Sequence, residues 1–164
     1  MENYKSGFVT LIGRPNVGKS TLINKLIGEK IAITSPIAQT TRKKLKGILT
    51  TKDSQIIFID TPGIHKPHHL LGERLVRNAK SAINGVDLIL LIFDSNINPG
   101  RGDKYIKDLI VTNQSKYIIV LNKWDLVQEN EKELRLNQYK EIFSNKSIYF
   151  QTVSSISGEG CDEL

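Results

Sequence analysis

The sequence predicts an α/β domain, a mostly parallel six-stranded sheet flanked by helices. Three observations predict it. Apolar runs of strand length recur along the chain, and two of them, VDLILLIFD (86–94) and YIIVLN (117–122), are apolar at nearly every position, as strands covered on both faces are. Stretches with apolar residues at helical spacing separate these runs. Turn residues gather where one kind of segment passes into the other. Strands alternating with helices in this way pack as a parallel sheet between helical layers.

The elements follow in order. FVTLI (8–12) is a short apolar strand that ends at Gly13. A Gly-rich turn, 13–20, leads into a helix at 20–27, where Leu22, Ile23, Leu26 and Ile27 lie at helical spacing and Gly28 fits the end. Residues 29–43 are polar, contain Pro36 and read as a loop. Two strands, 45–51 and 55–60, form a hairpin across Lys52–Asp53–Ser54. Residues 61–72 hold Pro62, Gly63, Pro67 and Gly72 and read as a loop, followed by a helix near 72–83. The strand at 86–94 and the Pro99–Gly100 turn lead to a helix at 102–112, with Tyr105, Ile106, Leu109 and Ile110 on one side. After the strand at 117–122 comes a charged amphipathic helix, 130–143, with Leu134, Leu136, Tyr139, Ile142 and Phe143 as its apolar positions. SIYFQTV (147–153) is the last strand.

At 164 residues the chain is read as one domain, 1–164, large enough for a sizeable core. Its hydrophobic content of 39% and charged content of 24% are those of an ordinary globular protein, not of a disordered or fibrous one. No apolar run reaches membrane-spanning length, and MENYKSG has no signal-peptide core. The single cysteine, Cys161, excludes an internal disulfide and suits a reducing cytoplasm. A net charge of +6 is compatible with an anionic partner, and Arg42, Lys43, Lys44 and Lys46 form the densest basic patch, read first as a solvated face.

GRPNVGKS (13–20) matches G-x-x-x-x-G-K-[ST]. Its glycines let backbone N–H groups wrap phosphate oxygens next to a helix N-terminus that favours anions. Lys19 is placed to reach the terminal phosphates and the Ser20 hydroxyl to bind Mg²⁺. Ligands in parallel sheets bind beyond the carboxyl ends of the strands, and this motif and the next three all fall there. DTPG (60–63) follows the strand QIIFI, so Asp60 is placed to hold Mg²⁺ through water and the Gly63 N–H to contact a γ-phosphate. NKWD (122–125) closes the strand YIIVL. A carboxylate there accepts two hydrogen bonds from one guanine edge, whereas adenine would leave a buried Asp125 unpaired, a strong basis for discrimination. Asn122 can tie the segment together, the Lys123 stem can pack over the base, and Trp124 packs beside the pocket. In VSSISG (153–158), Ser154 and the Ser155 backbone complete the base pocket. His65, His68 and His69 have only loop spacing and no cysteine nearby, so they read as a solvated segment and not as a zinc site.

These four motifs in this order resemble a translation-factor-class GTPase. GRPNVGKSTLINKLIGEK, AQTTR (38–42), DTPGIH, NKWD and VSSISG together resemble the bacterial Era-like GTPases of the TrmE-Era-EngA type, from about Phe8 to the last residue. The pairing of GRPNVGKSTL with QTTR separates this branch from the Der and MnmE types. The fold so implied is the P-loop NTPase G domain, and the activity is hydrolysis of GTP to GDP and phosphate by a switch acting in small ribosomal subunit assembly. By the resemblance, Asn16, Val17, Gly18, Lys19, Ser20 and Thr21 hold the phosphates, while Asn122, Lys123, Asp125, Ser154 and Ser155 take the base. Ser20, Thr41 and, through water, Asp60 hold Mg²⁺, with Thr40 the alternative to Thr41. Lys19, Thr41, Gly63 and Asn16 act on the reacting phosphate. GTP is expected to gather 31–43 and 61–72 through Thr41 and Gly63, and hydrolysis to release them.

One residue departs from the best-known pattern. Ras-type GTPases follow the D-x-x-G glycine with a Gln that orients the attacking water; here it is Ile64, which cannot. The resemblance implies a group with a hydrophobic residue there, in which Asn16 helps bind K⁺ and the water is oriented by backbone groups. The alternative for Asn16 is a local turn hydrogen bond. Era-like proteins continue into a last G-domain helix and an RNA-binding KH domain, whereas this sequence stops at GCDEL. The final helix is therefore expected to be truncated and the KH domain to be absent. Binding to 16S rRNA and the small subunit is expected of the parent. A monomeric, cytoplasmic protein is expected, with peripheral contact to the inner face of the membrane left open for the parent. The competing function is a guanine-nucleotide-dependent RNA- or ribosome-binding module with negligible turnover, using the basic run at 42–46. An ATPase or nucleotide kinase is a third reading, and NKWD argues against it.

Overall fold

The computed structural model describes residues 4–28, 45–59, 83–112, 116–143 and 148–164, with backbone alone at 45 and 46. Within them run β1 (Lys5–Gly13), α1 (Lys19–Ile27), β2 (Leu45–Thr50), β3 (Ser54–Ile59), β4 (Leu88–Asp94), α2 (Arg101–Thr112), β5 (Tyr117–Asn122), α3 (Lys132–Phe143) and β6 (Phe150–Thr152). The strands form one sheet in the order β2-β3-β1-β4-β5-β6. Only the β2–β3 hairpin is antiparallel; every other pairing is parallel. The predicted fold class holds. The predicted helix at 72–83, apart from Ile83, and the loops at 29–43 and 61–72 lie outside the described residues.

The alternation of side chains along β4 builds two cores. Ile89, Leu91 and Phe93 face one layer, with Ile106 and Ile110 of α2 and Tyr139 and Phe143 of α3. Leu90 and Ile92 face the other, with Val9 and Leu11 of β1 and Leu22 and Ile23 of α1. A strand with both faces covered must be apolar throughout, which is why VDLILLIFD shows no polar alternation. In the first layer Phe93 packs on Tyr139, ring centroids 5.3 Å apart, and edge-on against Phe143 at 5.8 Å.

Several boundaries differ from the sequence reading. β1 begins at Lys5, three residues before the apolar run, because its backbone pairs with β3 (Lys5 opposite Ser54) where the side chains are exposed and carry no signal. β6 is cut to three residues at the sheet edge. The charged helix starts as a 3-10 turn, Glu129–Glu131, before α3. Leu134, expected on the apolar side of α3, is 61% exposed, and Tyr105 of α2 is also exposed.

Candidate functional site

β1, β4 and β5 are adjacent and parallel, so their carboxyl ends share one edge of the sheet. GRPNVGKS, the segment after Asp94, and NKWD all leave from that edge. Gly13 closes β1 against β4: a Cβ there would sit 2.4 Å from the Ile92 carbonyl oxygen. Gly18 has φ 95°, and a Cβ on it would sit 2.2 Å from Asn122 Nδ2. α1 then starts with no side-chain cap and no acidic residue in its first turn. Its first N–H groups and dipole are thus left for an anion.

Lys19 Nζ donates to the carbonyl oxygens of Gly13 (2.9 Å) and Arg14 (2.7 Å). Burial pushes this amine down to about 8 from its ordinary 10.5. Neutral carbonyls do not compensate the desolvation of a cation, and phosphate oxygens would. Ser20 and Thr21 are exposed at the start of α1. Asn16 is exposed with φ 65°, a left-handed conformation that Asn tolerates. No partner holds its side chain among the described residues, so the local turn hydrogen bond is not seen there. Val17 is buried in the core.

Asn122, 1% exposed, joins the two halves of the site. Its Nδ2 donates to the Val17 carbonyl at 2.8 Å, and its Oδ1 accepts from Ser155 N at 3.0 Å and Ser155 Oγ at 2.6 Å. The phosphate loop, the end of β5 and the loop after β6 are thereby locked together. Ser154 is fully buried; its Oγ accepts from the Ser157 N–H and braces that loop. Lys123 has φ 64°, the other non-glycine left-handed residue among those described. Trp124 is buried in the first core. The Asp125 side chain is exposed, with no donor on its carboxylate among the described residues.

Thr40, Thr41, Asp60, Gly63, Ile64, the three histidines and the basic residues Arg42–Lys44 lie outside the described residues. Among the described residues no cluster of three or more His, Cys, Asp or Glu could hold a metal ion. The Ser20 hydroxyl is a hard oxygen donor beside the phosphate loop, and a single such donor fits Mg²⁺, which keeps most of its waters and takes phosphate oxygens.

Sequence reading missed the segment that follows β4. Asp94 pairs with Lys123, Ser95 N and Oγ both donate to the Asn122 carbonyl (2.9 and 2.6 Å), and Asp103 pairs with Arg14 at 3.1 Å. The available signal was Asp94 itself, a charge closing a doubly buried strand, in the same position as Asp60 and Asn122 on theirs.

A phosphate-binding loop clamped to a base-reading loop across a parallel sheet defines a P-loop GTPase domain. A family model described as 50S ribosome-binding GTPase matches residues 8–123, and the chain belongs to this family. It is similar to GTPase Era of Crocosphaera subtropica, 54% identical over 164 residues that cover 99% of this chain and 52% of that protein. It is also similar to the crystal structure of Era in complex with MgGDPNP and nucleotides 1506–1542 of 16S ribosomal RNA (35% identity, TM-score 0.75, 98% of this chain and 55% of that one). A variant of Aquifex aeolicus Era bound to GDP·AlF4⁻ matches at 33% identity and TM-score 0.74, over 98% of this chain and 55% of that one. The chain spans about half the length of the curated relatives it matches.

Proposed function

We propose that this chain is the GTP-binding, GTP-hydrolysing module of an Era-like molecular switch. The observation that carries the reading is the Asn122 clamp, with the Asp125 carboxylate, unpaired among the described residues, three residues on. The clamp fixes the span between phosphate and base, and the carboxylate accepts from the ring N–H and exocyclic amine of guanine. Ser154 and Ser155 shape the loop behind the base, and the Lys123 stem lies along it.

Backbone N–H groups from Asn16 to Thr21 hold the phosphates, and Lys19 exchanges the Gly13 and Arg14 carbonyls for phosphate oxygens. Ser20, Thr41 and, through water, Asp60 would hold Mg²⁺, which would supply positive charge against the phosphates. Thr41 and the Gly63 N–H contact the γ-phosphate and lose it on hydrolysis, which is the switch. Water attacks the γ-phosphorus in line and the bond to the β,γ-bridging oxygen breaks, giving GDP and phosphate. Ile64 contributes nothing polar. Backbone groups orient the water, and Asn16, free of other partners among the described residues, would help hold K⁺, which would supply positive charge to offset that developing on the phosphates.

In the longer parent, this switch acts in small ribosomal subunit assembly in the cytoplasm, with 16S rRNA bound through a KH domain outside this chain. The complex of Era with 16S rRNA and MgGDPNP supports that partner. The module itself is a monomer.

The test combines nucleotide competition with turnover. GDP should bind and resist displacement by a large excess of ADP; equal displacement would refute the guanine reading. GTP turnover with Mg²⁺ should run faster in KCl than in NaCl at equal ionic strength, and Asn16→Ala should abolish the difference. Equal rates remove the K⁺ role. Tight GDP binding with no turnover in either salt moves the function to the guanine-nucleotide-dependent binding module.

A further inference from the structure

The last residue of β4 and the segment that leads to α2, residues 94–100, carry none of the four motifs and still touch the base-reading loop at three points. Asp94 stands opposite Asn122 in the β4–β5 ladder. Its Oδ1 accepts from the Asn96 N–H at 3.0 Å, and its Oδ2 accepts from Lys123 Nζ. Its carbonyl accepts from the Tyr139 hydroxyl at 3.0 Å, a side chain fully buried in the core. The next residue, Ser95, binds the Asn122 carbonyl, and its own carbonyl is held by Arg135 at 3.0 Å.

This is not an ordinary surface ion pair. Such pairs are weak because two long side chains must be ordered at solvent-exposed sites. Here the Asp94 and Lys123 side chains are 16% and 30% exposed, the Asp94 carboxylate is already held by the Asn96 N–H, and its backbone is held by the buried Tyr139. The Lys123 backbone is also fixed, in the left-handed region. Only the lysine side chain remains to be ordered, and Asp94 does this.

We propose that Asp94 is a positioning residue for guanine recognition: it holds the Lys123 amine, sets the course of the lysine stem beside the base, and keeps the ammonium off Asp125. An ammonium released from Asp94 has Asp125 two residues away along the chain, the carboxylate that guanine requires unpaired. The inference rests on the guanine reading above and adds to it a residue outside the motifs.

The experiment is GDP affinity by competition against a fluorescent GDP analogue, with single-turnover GTP hydrolysis at saturating nucleotide. Asp94→Asn, which keeps the shape and removes the charge, should weaken GDP binding about tenfold, or about 1.4 kcal/mol, while saturated hydrolysis changes less than twofold. In a Lys123→Met background the same substitution should cost less than twofold, because the partner it positions is gone. Asp94→Glu, which retains the charge one methylene further out, should recover most of the loss. If the Asn variant fails to fold, the Glu variant carries the test, with a two- to threefold loss expected that vanishes in Lys123→Met. GDP affinity unchanged within twofold in Asp94→Asn, or equal losses with and without Lys123, would overturn the proposal. An unaltered chain that binds no GDP overturns the functional reading as well; one that binds GDP while ignoring Asp94 overturns only this inference.

Discussion

Asn122→Ala is the sharpest test of how the site is assembled. In the structure Asn122 satisfies three buried groups: the Val17 carbonyl, the Ser155 N–H and the Ser155 hydroxyl. The hydroxyl can rotate to another acceptor. The two backbone groups cannot, and both residues are under 10% exposed, so water does not readily replace the lost partner. Each stranded buried group costs about 1–3 kcal/mol, which puts the substitution near 4 kcal/mol, a large share of the stability of an ordinary domain. For a domain of this size that lowers the melting temperature by about 8–16 °C. Melting followed by circular dichroism without nucleotide isolates this architectural loss from any effect on binding. Asn122→Asp sharpens the result: it keeps the acceptor for Ser155 but faces the Val17 carbonyl with a second acceptor, so it should rescue little. A nucleotide-free melting temperature within 3 °C of the parent would refute the reasoning, since it would mean the clamp holds nothing together.

Other expectations follow from the same geometry. Lys19 is charged below pH about 8 and neutral above it in the nucleotide-free protein, while bound phosphate restores the charge. GDP affinity should therefore be flat below that pH and fall towards tenfold per unit above it, with proton uptake measurable by calorimetry in two buffers at pH 9 and absent at pH 7. The same depressed value means the unfolded chain binds the extra proton between about 8 and 10.5, so this group's contribution makes the nucleotide-free fold more stable as pH rises through that window. Gly13→Ala should destabilise by about 3 kcal/mol in a denaturant titration, because the new Cβ meets the Ile92 backbone and not a side chain that could turn away.

The strands and motifs were legible because burial on both faces writes a continuous apolar run, and because a phosphate cradle needs glycine where backbone must approach closely. β4 and β5 were found for the first reason and Gly13–Ser20 for the second. What escaped was set by contacts with no local periodicity. The first residues of β1 pair with β3 through backbone alone, so Lys5, Ser6 and Gly7 look like loop in one dimension. Asp94, Ser95 and Asp103 touch the site only after the sheet brings β4 between β1 and β5. Asp125 is exposed without a base, and its burial depends on a ligand that the sequence does not contain. Leu134 fitted the helical spacing and still faces solvent, since periodicity gives the relative angles of side chains and not the direction in which the stripe points.

The two ends of the site are prepared in different ways. The base end is held by groups that a nucleotide need not displace: Asn122 to Val17 and Ser155, and Ser95 to the Asn122 carbonyl. The phosphate end is held partly by Lys19, which uses two of its three ammonium hydrogens on Gly13 and Arg14, so that turning it fully onto a phosphate would give those bonds up. When it leaves, the loop does not lose its shape, because the Arg14 side chain is fastened independently to Asp103, a carboxylate 2% exposed that also accepts the Gly100 N–H at 2.8 Å. Binding at that end is therefore an exchange of lysine partners on a loop that stays put. It follows that Arg14→Ala should leave Lys19 as the loop's remaining tie on that side, so that phosphate binding must now disorder what it previously only unlatched. Removing Arg14 should thus weaken GDP by several-fold while leaving the guanine-over-adenine ratio unchanged, whereas Asp125→Ala should collapse that ratio. If both substitutions lowered the ratio equally, the two ends would not be separable and this division of labour would be wrong.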